Sequence, residues 1–138
     1  MKKKLKSRRG ASAVEFAIVL PVLLMLIFGI AEFGILMYDK AVITNASREG
    51  ARAGIVYSFP NRLSEDEIRS VVNSYCSSYL ITFGASATPS TTVTLGTDPG
   101  DPLTVNVTYP YSFLVLPNFV AGLAGGLTLA ATTVMRME

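Results

Sequence analysis

Apolar residues are crowded toward one end of the chain. From Ala11 to Leu36 the sequence reads ASAVEFAIVLPVLLMLIFGIAEFGIL, and no charge falls between Phe16 and Ala31. A helix that crosses a bilayer needs about 20 mainly apolar residues. At about 1.5 Å per residue, Ala11 to Glu32 covers roughly 31 Å, close to the hydrocarbon thickness of a membrane. Phe33 and Tyr38 then fall where interfacial aromatic residues are favoured. Residues 11–36 are therefore expected to form a membrane-spanning helix. Pro21 removes one backbone donor inside it and is expected to kink or locally open it.

The helical period continues past the apolar run. Ile35, Tyr38, Val42, Ala46, Ala53 and Val56 recur at spacings of three, four and seven, and no strong breaker appears before Ser58-Phe59-Pro60. One helix from about Ala11 to about Tyr57 is expected, roughly 70 Å long, with residues 37–57 as its extramembrane continuation. Ala46, Gly50 and Gly54 recur every four residues. Such a stripe lets another surface approach the backbone closely, and that surface is either a neighbouring helix or the chain's own domain.

Residues 58–138 read as a small α+β domain, one helix packed on a three-stranded antiparallel sheet. Ser64 and Glu67 form a capping-box pattern, with acids in the first turn, so a helix is expected from there to about Leu80. Ile68, Val71, Val72, Tyr75 and Tyr79 make its apolar face, with Cys76 beside them. Strands are expected at Thr91–Leu95, Leu103–Tyr109 and Leu127–Met135, where β-branched and apolar residues alternate with polar ones. Asp98-Pro99-Gly100-Asp101 is a turn between the first two, and both aspartates are turn residues rather than a catalytic acid pair. A loop from Pro110 to Gly126 carries Pro117 and the aromatics Tyr111, Phe113 and Phe119, which cover the core or form a contact patch. Asn106-Val107-Thr108 fits the glycosylation pattern but lies within an expected strand.

Charge sharpens this picture. Lys2, Lys3, Lys4, Lys6, Arg8 and Arg9 place half of the twelve cations in the first ten residues. The remainder carries six cations and ten acids, a net of −4. Cations confined to a tail beside an apolar helix read as a positive-inside signal and a contact for anionic lipid, not as a nucleic-acid surface. The tail is expected in the cytoplasm and the C-terminal domain on the far side. There is no histidine and a single cysteine, Cys76, which excludes an intramolecular disulfide and leaves no usual zinc set. Cys76 on an apolar face is expected to be a small buried hydrophobe. No phosphate-binding loop, catalytic triad or paired-carboxylate cleft is visible. The expectation is no enzyme, no cofactor and no metal.

Glu15 breaks the apolar run at its entry. A carboxylate within a span costs about 2.5–3.5 kcal/mol at the centre, and less near the interface. Taken alone, it would snorkel toward headgroups or Arg9. It sits, however, within RRGASAVEFAIVLP, which resembles a class III, type IV pilin-like leader: a basic tail, Gly10 as the last leader residue, Ala11 as the first mature residue and Glu15 as the fifth. With AEFGILMY, the block NASREGARAG and the ending LTLAATTVMRME, the chain resembles the TadE-like family, with TadF and the larger TadG-like proteins as sister groups; the short length argues against TadG.

That resemblance implies a minor pilin or pseudopilin of the Tad (Flp, type IVc) pilus system, a single-pass protein of the bacterial inner membrane with its domain in the periplasm. It implies cleavage between Gly10 and Ala11 by a prepilin peptidase. It also assigns Glu15 to assembly, paired with the new amine at Ala11. The implied partners are that peptidase, other pilin or pseudopilin subunits and the inner-membrane assembly platform. The competing expectation is an envelope or secreted domain with an ordinary signal peptide cut after Gly29-Ile30-Ala31, or a plain membrane anchor.

Overall fold

The computed structural model describes residues 6–56, 61–84, 89–115, 122 and 126–137, with side chains from residue 10 on. Lys2 to Lys4, the side chains of Lys6, Arg8 and Arg9, the Ser58-Phe59-Pro60 breaker, Pro117 and Phe119 lie outside the described residues.

A single α-helix, α1, runs from Lys6 to Ile55 and is continuous through Pro21. It begins five residues before the expected start. Lys and Arg are good helix formers, and nothing between Lys6 and Ala11 other than Gly10 opposes helix. Helix α2 spans Glu65–Tyr79. Its capping box is fully formed: the Glu67 carboxylate accepts from the Ser64 backbone N–H at 2.8 Å and the Ser64 hydroxyl at 2.9 Å, while Glu67 N–H reaches Ser64 Oγ at 3.4 Å. Those bonds, the backbone one foremost, hold the Glu67 carboxyl below its ordinary value.

Three strands, β1 (Ser90–Thr94), β2 (Pro102–Tyr111) and β3 (Leu127–Arg136), form one antiparallel sheet in the order β1-β2-β3. Val93 pairs with Val105, and Val105 with Thr133, across its middle. The turn before β2 is built as the residue types require. Asp101 accepts from the backbone N–H groups of Thr97 and Asp98, both at 3.0 Å, and Gly100 takes a φ of +94°, which favours glycine. Asp98 and Asp101 are turn residues, and the two N–H donors hold the Asp101 carboxyl below its usual range.

Strand β2 extends beyond its expected end at Tyr109 to Tyr111. Proline's fixed φ is compatible with extended backbone, and Pro110 pairs in register with Thr128. Strict alternation buries Leu103, Val105, Val107, Tyr109 and Tyr111 on one face. Each large apolar side chain fully removed from water contributes about 1.5–3 kcal/mol. Tyr111 meets Phe113 edge-on at 5.8 Å, and Phe113 packs on the core, so these two aromatics are core cover.

Two helices, rather than α2 alone, cover the buried face of the sheet. The second half of α1 packs against β2 and β3, and α2 lies between α1 and β1. That placement narrows the buried face of α2 to Ile68, Val72 and Cys76, at every fourth residue. Val71 and Tyr75 are only half-buried and Tyr79 is exposed, contrary to the face expected from the periodicity. The cause is the close approach of α2 to α1. Ile68 and Val72 sit over glycines of α1, which turns Val71, Tyr75 and Tyr79 to the outer flank.

Candidate functional site: the N-terminal helix and its junction with the domain

The first half of α1 stands clear of the domain. From Gly10 to Ala31, most side chains are exposed, including Phe16, Ile18, Val22, Leu26 and Ile30. With a mean hydropathy of 2.6 in its most apolar window, this helix is long and apolar enough to cross a membrane. An all-round apolar helix surface suits lipid or other helices, not water. Gly10, Ala11 and Glu15 are all exposed here, and nothing lies within 4 Å of where a Gly10 side chain would begin. Glu15 follows Ala11 by four residues, one helical turn, on the same strip of surface.

The character of the helix changes at Glu32, which is 3% exposed. Its carboxylate accepts from the Tyr111 hydroxyl at 2.5 Å, from Leu114 N–H at 3.0 Å and from Val115 N–H at 2.6 Å. A carboxylate that accepts several backbone N–H groups is held firmly in place. Burial, then this bond to Glu32, push the Tyr111 phenol well above its usual value. Two turns on, Asp39 is also buried and accepts from Ile81 N–H at 3.0 Å through Oδ1; its Oδ2 has no partner among the described residues. Burial raises the Asp39 carboxyl, and the Ile81 bond opposes this. Lys40 donates to the carbonyl oxygen of Ala130 on β3. Ser47 shares a 2.7 Å hydrogen bond with Thr133 on the same strand.

The small-residue stripe faces the chain's own domain. Ala46 is fully buried in the core. A side chain begun at Gly50 would lie 2.4 Å from Val72 Cγ2. One at Gly54 would lie 2.6 Å from both Ile68 and Leu103. Of the two surfaces that this stripe could admit, the domain therefore occupies it. Cys76 is buried in the same core, where burial pushes its thiol up to about 11, so it is an inert small hydrophobe. No cluster of three or more potential metal ligands occurs among the described residues.

The structure thus separates the expected site residues into two groups. Gly10, Ala11 and Glu15 lie on the bare end; Ala46, Gly50 and Gly54 lie in the domain. Glu15 and Ala46 are about 46 Å apart along the helix. Between the groups lie Glu32, which the sequence placed at the end of the apolar stretch, and Asp39, to which it assigned no role. Their spacing carried a signal: Glu32, Asp39 and Ala46 follow at intervals of seven, on one face.

No curated protein and no solved structure matches the chain. The stretch that carries all six of these site residues except Gly54, namely residues 10–52, matches the family model described as TadE-like protein, as the sequence motifs led us to expect.

Proposed function

We propose that this chain is a minor pilin or pseudopilin-like structural subunit of a Tad pilus or a related secretion machinery. It is anchored in the bacterial inner membrane by residues 11–31, with its basic tail in the cytoplasm and its domain in the periplasm. That span is shorter than the expected 11–36 because Glu32 is buried against the domain. The observation that carries this reading is the TadE-like match over residues 10–52. It covers the Gly10-Ala11 step and Glu15, on a helix that is bare where it would meet lipid and sibling subunits. The role requires no catalytic residue in this chain. A prepilin peptidase supplies the hydrolytic groups, and Gly10, exposed and without a side chain, lets it approach the backbone. Cleavage frees an amine at Ala11, one turn from the Glu15 carboxylate, where a low-dielectric surround strengthens their attraction, within one chain or between neighbours.

The test is the mature protein in its native host. Intact mass should show loss of the first ten residues, and Gly10→Val should keep the precursor uncut. Glu15→Gln retains size and hydrogen bonding but removes the charge. It should leave cleavage and membrane level unchanged while pilus output fails. Loss of thirty-one residues would instead identify a secreted domain, and normal pilus output from a processed Glu15→Gln protein would remove the assembly role.

A further inference from the structure

An open groove runs between α1 and α2, away from both the bare helix and the Glu32 junction. It is lined by Glu49 from α1 and by Ser70, Ser74, Tyr75, Ser78 and Tyr79 from α2. Val71 also lines it; with three hydroxyls at four-residue spacing, two phenols and one carboxylate, this makes a mixed apolar and polar surface, rich in aromatic rings, with no cation among its lining residues. The Tyr75 and Tyr79 rings lie 4.7 Å apart, tilted by 44°, and Tyr79 is half exposed. Glu49 is exposed and takes no part in an ion pair among the described residues. Aromatic faces beside a carboxylate suit a guanidinium, which stacks on the rings while donating to the acid.

The complementary surface lies on the same helix. Arg48 and Arg52 are both exposed, one turn apart, and neither is in an ion pair among the described residues. Arg69, by contrast, is occupied by Glu65 and Asp66 at 3.1 and 2.8 Å. Round the helix, Glu49 lies about 100° from Arg48 and about 60° from Arg52, so the arginines and the groove occupy neighbouring flanks of α1. Arg48, Glu49 and Arg52 lie within about 6 Å of one another along the axis.

From this we infer that the groove receives Arg48 and Arg52 of a second copy of this chain. The inference rests on the reading that copies are anchored side by side in one membrane. Anchoring by the same apolar segment holds copies parallel and at one depth, which brings the arginines of one level with the groove of the next. Each copy offers both the arginine pair and the groove on neighbouring flanks, so a parallel copy alongside brings its arginines to the groove. Exposed ion pairs are individually weak; confinement in the membrane raises the effective concentration at which they meet.

The test uses the full chain, labelled at its C-terminus with donor or acceptor dye and reconstituted at low density in phosphatidylcholine vesicles. Wild-type copies should transfer energy above the level of a random distribution. Glu49→Arg, and separately the pair Arg48→Glu with Arg52→Glu, should each fall to the random level with unchanged unfolding midpoints. Mixing donor-labelled Glu49→Arg with acceptor-labelled Arg48→Glu/Arg52→Glu should restore transfer, because one reversed groove then meets one reversed arginine face. Random transfer in the wild type, wild-type transfer in either variant, or no recovery in the mixture would each overturn the inference. Cleavage at Gly10 and pilus output in the host are read separately, so the subunit role can stand where this contact fails.

Discussion

The two halves of α1 share one backbone and one hydrogen-bonding ladder, yet they face opposite solvents. Residues 16–31 are apolar all round, and residues 10–31 bury almost nothing within the chain. Residues 32–55 bury one narrow face made of small and polar residues: Glu32, Asp39, Ala46, Ser47, Gly50, Ala51 and Gly54, with Val42 and Ile43. The greasier half is thus the one outside the domain core. For a helix that leaves a membrane, hydrophobicity marks contact with lipid, while small size and satisfied polar groups mark contact with the protein's own fold.

Substitutions at matched residue types should separate the halves. Glu32→Ala should have the largest effect. It strands the Tyr111 hydroxyl and the Leu114 and Val115 N–H groups, and a buried donor without a partner costs about 1–3 kcal/mol each. A loss of at least about 3 kcal/mol is expected in denaturant unfolding of the detergent-solubilised chain. A change below about 1 kcal/mol would mean that these groups find water instead.

Gly50→Leu comes next. Val72 is β-branched and stiff at χ1, so it yields poorly to a new side chain 2.4 Å away. Overpacking of this kind costs about 1–3 kcal/mol. Asp39→Asn probes a smaller, pH-dependent contribution. Burial raises the Asp39 carboxyl in the folded chain, so the fold holds that proton more tightly than the unfolded chain does. The stability it contributes is complete below the unfolded-state value and is lost as pH rises through the raised folded-state value. Asparagine keeps an oxygen for Ile81 N–H but cannot ionise. The variant should therefore gain on wild type as pH rises across that window, and parallel pH curves would show that Asp39 does not titrate there. Gly29→Leu is the control on the bare half. Nothing lies within 4 Å of that position, so domain stability should stay within about 0.5 kcal/mol.

The features legible in the sequence were those fixed over short distances. The Ser64–Glu67 capping box, the Asp98–Asp101 turn and the alternation in β2 each depend on residues a few positions apart, and all three form. The long helix was legible because its period runs on to Val56, and Pro21, expected to kink or open it, does not end it. Glu32 was not, because its partners at Tyr111, Leu114 and Val115 lie about eighty residues away and depend on where β2 ends. The face of α2 was misjudged for a related reason. A helical period admits a wide apolar stripe around Val72. Only the glycines of α1 decide that Ile68 and Cys76, and not Tyr75 and Tyr79, share it. The small-residue stripe itself was visible, but its spacing does not say which surface fills it.

The carboxylate of Glu32 also fixes the mechanics of the molecule. The first turn of α1 beyond the bare segment is tied to the end of β2 by bonds from Glu32 to two backbone amides and one phenol, and Lys40 and Ser47 tie the next turns to β3. A pull or a twist applied to the bare end therefore reaches the sheet at once, with no slack joint to absorb it. Drawing the helix deeper into lipid would have to strip Glu32 from all three donors and carry an acid into hydrocarbon. For a helix of this kind set in a membrane, Glu32 and the domain behind it would oppose deeper insertion.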